Sequence, residues 1–418
     1  MNRNIRMRSS WATLLAFIMV MVPPGVWAAG KYKVLYNFKG GWDGIGPTGL
    51  ILDPAGNLYG TTDVGGGGGC TDEGCGTVFQ LATSNGKWNE KVLVQFKNVR
   101  GDFPDSGVIM DAKGNLYGTA SGHGLGNGIV FKLTPGEKGK WSASVLHAFT
   151  GGNDGQGPFG GLVRDRHGNL YGATVEGGGY YGSCGRLGCG TVYELVPPRT
   201  RGAEWTEKVL YRFKGGSDGG NPAAALIFDG LGNLYGTTAI GGDYGWGTVF
   251  TLELDSHGKW TEHVIHSFND KTDGAEPDSA LIFDRIGNLY GTTSGGPGFN
   301  LGTIFKLAPG SDGWKESVLH IFPGGGSEGD PLGSVILDSA GNLYGTTSGE
   351  HSDSSGTVFK LAPGSHGAWT ETILYTFTGG NDGAVPIAPL VMDSSGNLFG
   401  TAGGGGTFGW GVVFKIAP

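Results

Sequence analysis

Four cysteines stand in two pairs of identical spacing, Cys70 with Cys75 and Cys184 with Cys189. Thiols so placed can close a disulfide in an oxidising compartment or hold a soft metal. A four-thiolate zinc site wants more closely spaced pairs brought to one point, so the spacing favours two local disulfides, Cys70–Cys75 and Cys184–Cys189. A second set is acidic. Asp43, Asp102, Asp154, Asp218, Asp273, Glu328 and Asp382 recur along the chain, each followed within a few residues by a proline. Carboxylates gathered on one rim could hold a hard cation such as Ca2+, and Asp43, Asp154, Asp218, Asp273 and Asp382 are the candidate ligands. An Asp before Gly also accepts turn hydrogen bonds, and strict repetition favours this structural role. No cofactor is expected. A third set is aromatic: Tyr180, Tyr181, Tyr244, Trp246, Phe299, Phe408 and Trp410 stand in glycine-rich segments at places that do not match from one segment to the next, with His351 in the same class of segment. Exposed rings among glycines can stack on sugars or anchor a protein partner.

No nucleophile–base pattern accompanies these residues. G-x-S-x-G, H-E-x-x-H and the G-x-x-x-x-G-K-[ST] phosphate loop are all missing, and the glycine runs at 65–69 and 403–406 do not join a strand to a helix. A formal charge of −8 without a basic stripe argues against nucleic-acid binding.

The elements that must position these residues announce themselves by repetition. Gly-Asn-Leu-Tyr-Gly starts at Gly56, Gly114, Gly168, Gly232, Gly287 and Gly341, and returns as Gly-Asn-Leu-Phe-Gly at Gly396. Each copy follows an apolar run ending in Asp, and precedes a Gly-Thr-Val-Phe-type run and a Val-Leu-Tyr/His-x-Phe run. Four short β-branched and aromatic runs, punctuated by Gly, Pro, Asn and Asp, predict a four-stranded antiparallel meander. Units of this size are propeller blades, so the expected fold is all-β: a seven-bladed β-propeller of four-stranded blades, with strands A to D running from the channel outward. With 86 glycines among 418 residues and no Gly-X-Y period, the composition is that of a turn-rich globule and not of collagen. His147, His266 and His320 replace Tyr36, Tyr211 and Tyr375 in the D runs and are expected to pack.

The chain ends fit a ring. Lys33 to Phe38 is a D-type run with no A, B or C before it, and Val412 to Ile416 is a C-type run with no D after it. The N-terminal strand is therefore expected to supply the outer strand of the last blade. Before it, Arg3, Arg6 and Arg8 lead an apolar run to Val22 and the small-residue site Val26-Trp27-Ala28, the layout of a secretory signal over residues 1–28. Residues 29–418 are then one propeller domain without a membrane span, secreted to the periplasm or the exterior.

The combination Asp-x-x-Gly-Asn-Leu-Tyr-Gly-Thr-Thr, Gly-Thr-Val-Phe-Lys-Leu and Phe-x-Gly-Gly-x-Asp-Gly resembles the GloVer-type tandem repeat of exported bacterial "choice-of-anchor" proteins. The resemblance covers essentially all of the mature chain. It implies an exported propeller whose biochemical role is not established and for which there are no agreed catalytic residues. No sorting segment follows the last C run, so free secretion is expected over surface attachment. The residues favour a monomeric, non-enzymatic binding or scaffold module for a glycan or cell-surface protein, recognised on the face of the D–A and B–C loops. The alternative is an extracellular carbohydrate-active hydrolase or lyase with acids at the channel mouth.

Overall fold

A computed structural model describes residues 31–67, 69–70, 73–97, 102–122, 126–179, 184–200, 202–298, 301–323, 329–349 and 355–417. They form seven four-stranded antiparallel sheets arranged as blades. In each blade the A strand ends at the Asp-x-x-Gly-Asn turn. Five of the seven B strands are Leu-Tyr-Gly-Thr-Thr/Ala segments such as Leu234–Thr238, and C and D are longer, as in Thr248–Leu254 and Trp260–Ser267. Six A strands are only two residues long, for example Ile227–Phe228, and only the first, Ile45–Leu52, is extended.

The ring closes as the sequence predicts. Lys31–Asn37 pairs antiparallel with Val412–Ala417, so the last blade takes its outer strand from the other end of the chain. The outer C–D ladder of every blade, the closing one included, carries an irregularity at the same step of the C strand, as between Val249 and Phe250. Such bulges raise local twist, which suits the splayed rim of a blade.

The core lies between blades. One cluster joins Leu58, Phe79 and Leu81 of the first blade to Phe399 and Val413 of the last. The Trp that opens a D strand packs edge-on against the B-strand aromatic of the preceding blade, as Trp141 does on Tyr59 and Trp88 on Phe399. Burial on both faces explains why the inner runs are continuously apolar instead of alternating.

The repeated acids of the A–B turn are structural. Asp229 Oδ1 accepts the Leu231 and Asn233 amides, and its Oδ2 accepts the Asn233 side chain at 2.8 Å. Partial burial opposes ionisation of the equivalent Asp111, Asp284, Asp338 and Asp393, but their hydrogen bonds, led by those from the turn asparagine, hold all four below the ordinary carboxylate range.

Candidate functional site

The D–A and B–C loops share one face because each blade is stitched to the next there. The carbonyl of the residue before each C-strand glycine accepts a backbone N–H from the following D–A loop, as Trp246 does from Glu276 at 3.0 Å and Cys75 from Phe103 at 3.0 Å. The seven donors are Gly46, Phe103, Gly157, Asn221, Glu276, Asp330 and Val385, and all have φ between 55° and 66°. A proline follows each donor and seats its Cδ where a Cβ on the glycine of the Gly-Thr-Val-Phe motif would be. This contact is why glycine and proline recur in step.

Both expected disulfides are present, Cys70–Cys75 and Cys184–Cys189, one in the first blade and one in the third. Together they point to an oxidising, non-cytoplasmic compartment. Among the described residues no helix is long and apolar enough to cross a membrane.

The D–A acids bind within their own turns. Asp43 accepts Tyr36 Oη at 2.8 Å and the Lys39 amide, Asp218 accepts Tyr211 Oη at 2.8 Å, and Asp382 accepts Tyr375 Oη at 2.8 Å. Asp273 pairs with His266 Nε2 at 2.9 Å, and Asp154 accepts the Thr150 amide at 2.9 Å with His147 at 3.7 Å. Among the described residues the only convergence of three metal-type side chains is Cys70, Cys75 and Asp102, where the two sulfurs are joined to each other. Asp102 also corrects the sequence register. It lies two residues before Pro104, the position of Gly220 before Pro222, and not the place of Asp218. The loop is one residue shorter here, and Val94 replaces the Tyr or His that would hold such an acid. Glu328 lies outside the described residues.

Tyr244, Trp246, Phe408 and Trp410 are exposed by 63%, 42%, 51% and 38%. They are not unmatched, as the sequence reading had them. Tyr244-Gly245-Trp246-Gly247 and Phe408-Gly409-Trp410-Gly411 occupy the same place in the fourth and seventh blades, with equivalent bridges Gly241 to Trp246 and Gly405 to Trp410. Trp410 lays its ring on Gly40, where a Cβ would come within 2.8 Å of Nε1. Two residues on is Trp42, 70% exposed, with Lys97 Nζ 5.5 Å from its ring centre. The sequence reading missed Trp42; its signal was a tryptophan in a D–A loop, away from the Trp positions that open D strands. Val385 and Ile387 of the last blade add exposed apolar surface. Tyr180, Tyr181, Phe299 and His351 lie outside the described residues.

Two cavities accompany these loops. The channel, about 320 Å³, is lined by all seven blades, with small Gly, Ala and Ser residues interspersed among larger ones. At its mouth the residue after the proline differs from blade to blade: Asp105, Phe159, Ala223, Asp278, Leu332 and Ile387 in blades two to seven. Burial, then the charges of Glu276 and Asp330, push Asp278 up to about 6. A lateral cavity of about 590 Å³ is walled by Tyr244 with Asp218, Asp243, Glu262 and Asp273. Burial there, with the nearby Asp218 charge, raises Glu262 to about 7.

Fold and loops define a seven-bladed β-propeller with a loop face asymmetric in its aromatic and channel-mouth residues. The chain belongs to the Gloeobacter/Verrucomicrobia repeat family, whose pattern matches residues 25–184, 125–320 and 310–418. Among curated proteins none matches it. Similar solved structures include a catalytically inactive variant of virginiamycin B lyase from Staphylococcus aureus with quinupristin, at 12% identity and TM-score 0.55, covering 93% of this chain and 99% of that one. A Lactobacillus plantarum protein is similar at 16% identity and TM-score 0.52, over 82% of this chain and 86% of that one. The extracellular domain of a hybrid two-component system from B. thetaiotaomicron matches at 11% identity and TM-score 0.52, covering 92% of this chain but 39% of that one. At these identities the likeness is one of fold.

Proposed function

We propose that this protein is an exported, non-enzymatic binding propeller that recognises a glycan or protein ligand on the face of the D–A and B–C loops. One observation carries the reading: large rings stand exposed there at Trp42, Tyr244, Trp246, Phe408 and Trp410, on loops whose backbone is tied down by the inter-blade hydrogen bonds. Rigid aromatic faces lose little entropy on binding, and neighbouring glycines leave room for a flat ligand to approach the backbone. The disulfides and the N-terminal signal layout support export. A binding screen of the mature chain against glycans, cell-wall polysaccharides and cell-surface proteins tests it. The expected result is a selective ligand whose affinity falls when Trp42 or Trp246 is replaced by Ala.

A hydrolase or lyase reading has its own observation. Asp278, raised to about 6 at the channel mouth, could hold a proton near neutrality and act as a general acid. Turnover of a polysaccharide lost in Asp278→Asn, with binding retained, would favour that reading over the first.

A further inference from the structure

We propose that the Cys70–Cys75 bridge is a thiol–disulfide exchange site, in which Asp102 supplies a proton to the departing Cys75 sulfur, and that Cys184–Cys189 is its inert counterpart.

The two bridges share their spacing, their place in the blade and their pattern of burial, while their loops differ, Thr71-Asp72-Glu73-Gly74 against Gly185-Arg186-Leu187-Gly188. In each, the second cysteine, Cys75 or Cys189, is fully buried, and the first, Cys70 or Cys184, is half-buried. A nucleophile therefore reaches the first sulfur and expels the second into apolar surroundings. A bare thiolate at Cys75, packed among Val78, Phe96 and Val108, would be strongly disfavoured without a proton source.

Among the described residues only the first bridge has one. A carboxylate oxygen of Asp102 and both sulfurs lie within 4.8 Å of one another. Asp102 is 5% exposed, and its Oδ1 has no hydrogen-bond partner. The equivalent position at the second bridge is Gly220, where a Cβ would come 2.7 Å from Cys184 Sγ. Thus the backbone aims this position at the disulfide in both blades, but only one carries an acid. Burial alone lifts Asp102 to about 6. The charged groups on the neighbouring described segments are Asp63 of the B strand, Glu73 of the cysteine loop and Asp105 beyond the proline.

In the reaction, the thiolate of an external dithiol attacks Cys70 Sγ. A mixed disulfide forms, the Cys70–Cys75 bond breaks, and its electron pair leaves on Cys75 Sγ, which takes the Asp102 proton. The second thiol of the reductant then displaces Cys70, which is protonated from water. The dithiol ends as a disulfide and the bridge as two thiols, a balanced two-electron exchange.

The test is reduction of the oxidised protein by dithiothreitol between pH 5 and 8, with each bridge followed by peptide mapping. Both bridges meet the same reductant thiolate, so the ratio of their rates cancels its ionisation, and Asp102→Asn separates the role of Asp102 from the different charges of the two loops. We expect Cys70–Cys75 to react faster by about tenfold or more at pH 5, as for one general acid, with the ratio falling through pH 6 as Asp102 ionises. In Asp102→Asn the ratio should lose its pH dependence. A wild-type ratio that does not change with pH would overturn the proposal, as would an unchanged profile in Asp102→Asn with both bridges intact.

Discussion

Pro47 of the first blade lies against Gly411 of the last, its Cδ filling the space that a Cβ on Gly411 would occupy. Nearby, the Gly46 amide donates to the Trp410 carbonyl at 3.3 Å, so the seam between the chain ends has the same lock as the six covalent junctions. Gly411 has φ +95°, which also disfavours any side chain.

This lock makes Gly411→Ala costly. We expect a loss of about 2–4 kcal/mol from overpacking and backbone strain together. Gly409→Ala, at φ +84° with nothing within 4 Å of its Cβ, should lose only about 1 kcal/mol. Denaturant melts of the two variants distinguish the contact from the strain. Removing residues 30–40 should destabilise by several kcal/mol, because a whole ladder and its apolar contacts go together. A truncated protein that melted like the intact one would contradict closure.

Tyr193 occupies the place of the C-strand Phe in the third blade, fully buried, and its hydroxyl has no hydrogen-bond partner. Burial, followed by the Glu207 charge, makes ionisation still less accessible. Tyr193→Phe should therefore stabilise the protein by about 1–2 kcal/mol by removing an unsatisfied polar group. Thermal melts check this, and a destabilised variant would mean that the hydroxyl is satisfied.

Val385 is β-branched, precedes Pro386 and sits at φ 56°, while Asn221 fills the same position in another blade. Asn tolerates the left-handed region and Val does not. Val385→Asn should gain about 0.5–1 kcal/mol, measured as a rise in denaturation midpoint.

Stability should fall between pH 5 and pH 8. Glu90, Glu207 and Glu262 on the D strands are raised to about 7, first by burial and then by the D–A acid of the preceding blade junction. A raised carboxyl favours the folded state fully below its unfolded value, near 4.5, and loses that contribution as pH rises through about 7. Melting temperature against pH checks the slope, which Glu262→Gln should flatten.

Binding and stability should separate at the aromatics. Trp42→Ala should weaken an anchored ligand by about 1–3 kcal/mol with little change in melting temperature, since the ring is 70% exposed. Trp410→Ala should lower both, because its ring also rests on Gly40. A large stability loss in Trp42→Ala with affinity unchanged per folded molecule would remove Trp42 from the site.

Repetition made the fold legible in the sequence. Each blade must bury the same faces and turn at the same places, so Asp229, Gly232, Asn233 and Leu234 recur with fixed spacing, and the unpaired D and C runs at the two ends dictated how the ring closes. Local cysteine spacing likewise determined the pairing of Cys70 with Cys75 and of Cys184 with Cys189. Through-space relationships were not legible. That Trp246 and Trp410 are equivalent is written in the sequence but is obscured by loops of unequal length. That Asp102 faces a disulfide while Asp218 is held by Tyr211 follows from their different positions, since Asp102 stands where Gly220 does, two residues before the proline, in a loop one residue shorter. Strand order follows from local pattern, whereas the direction of a side chain between two blades depends on register across a contact that is distant in sequence, and only the assembled ring decides that.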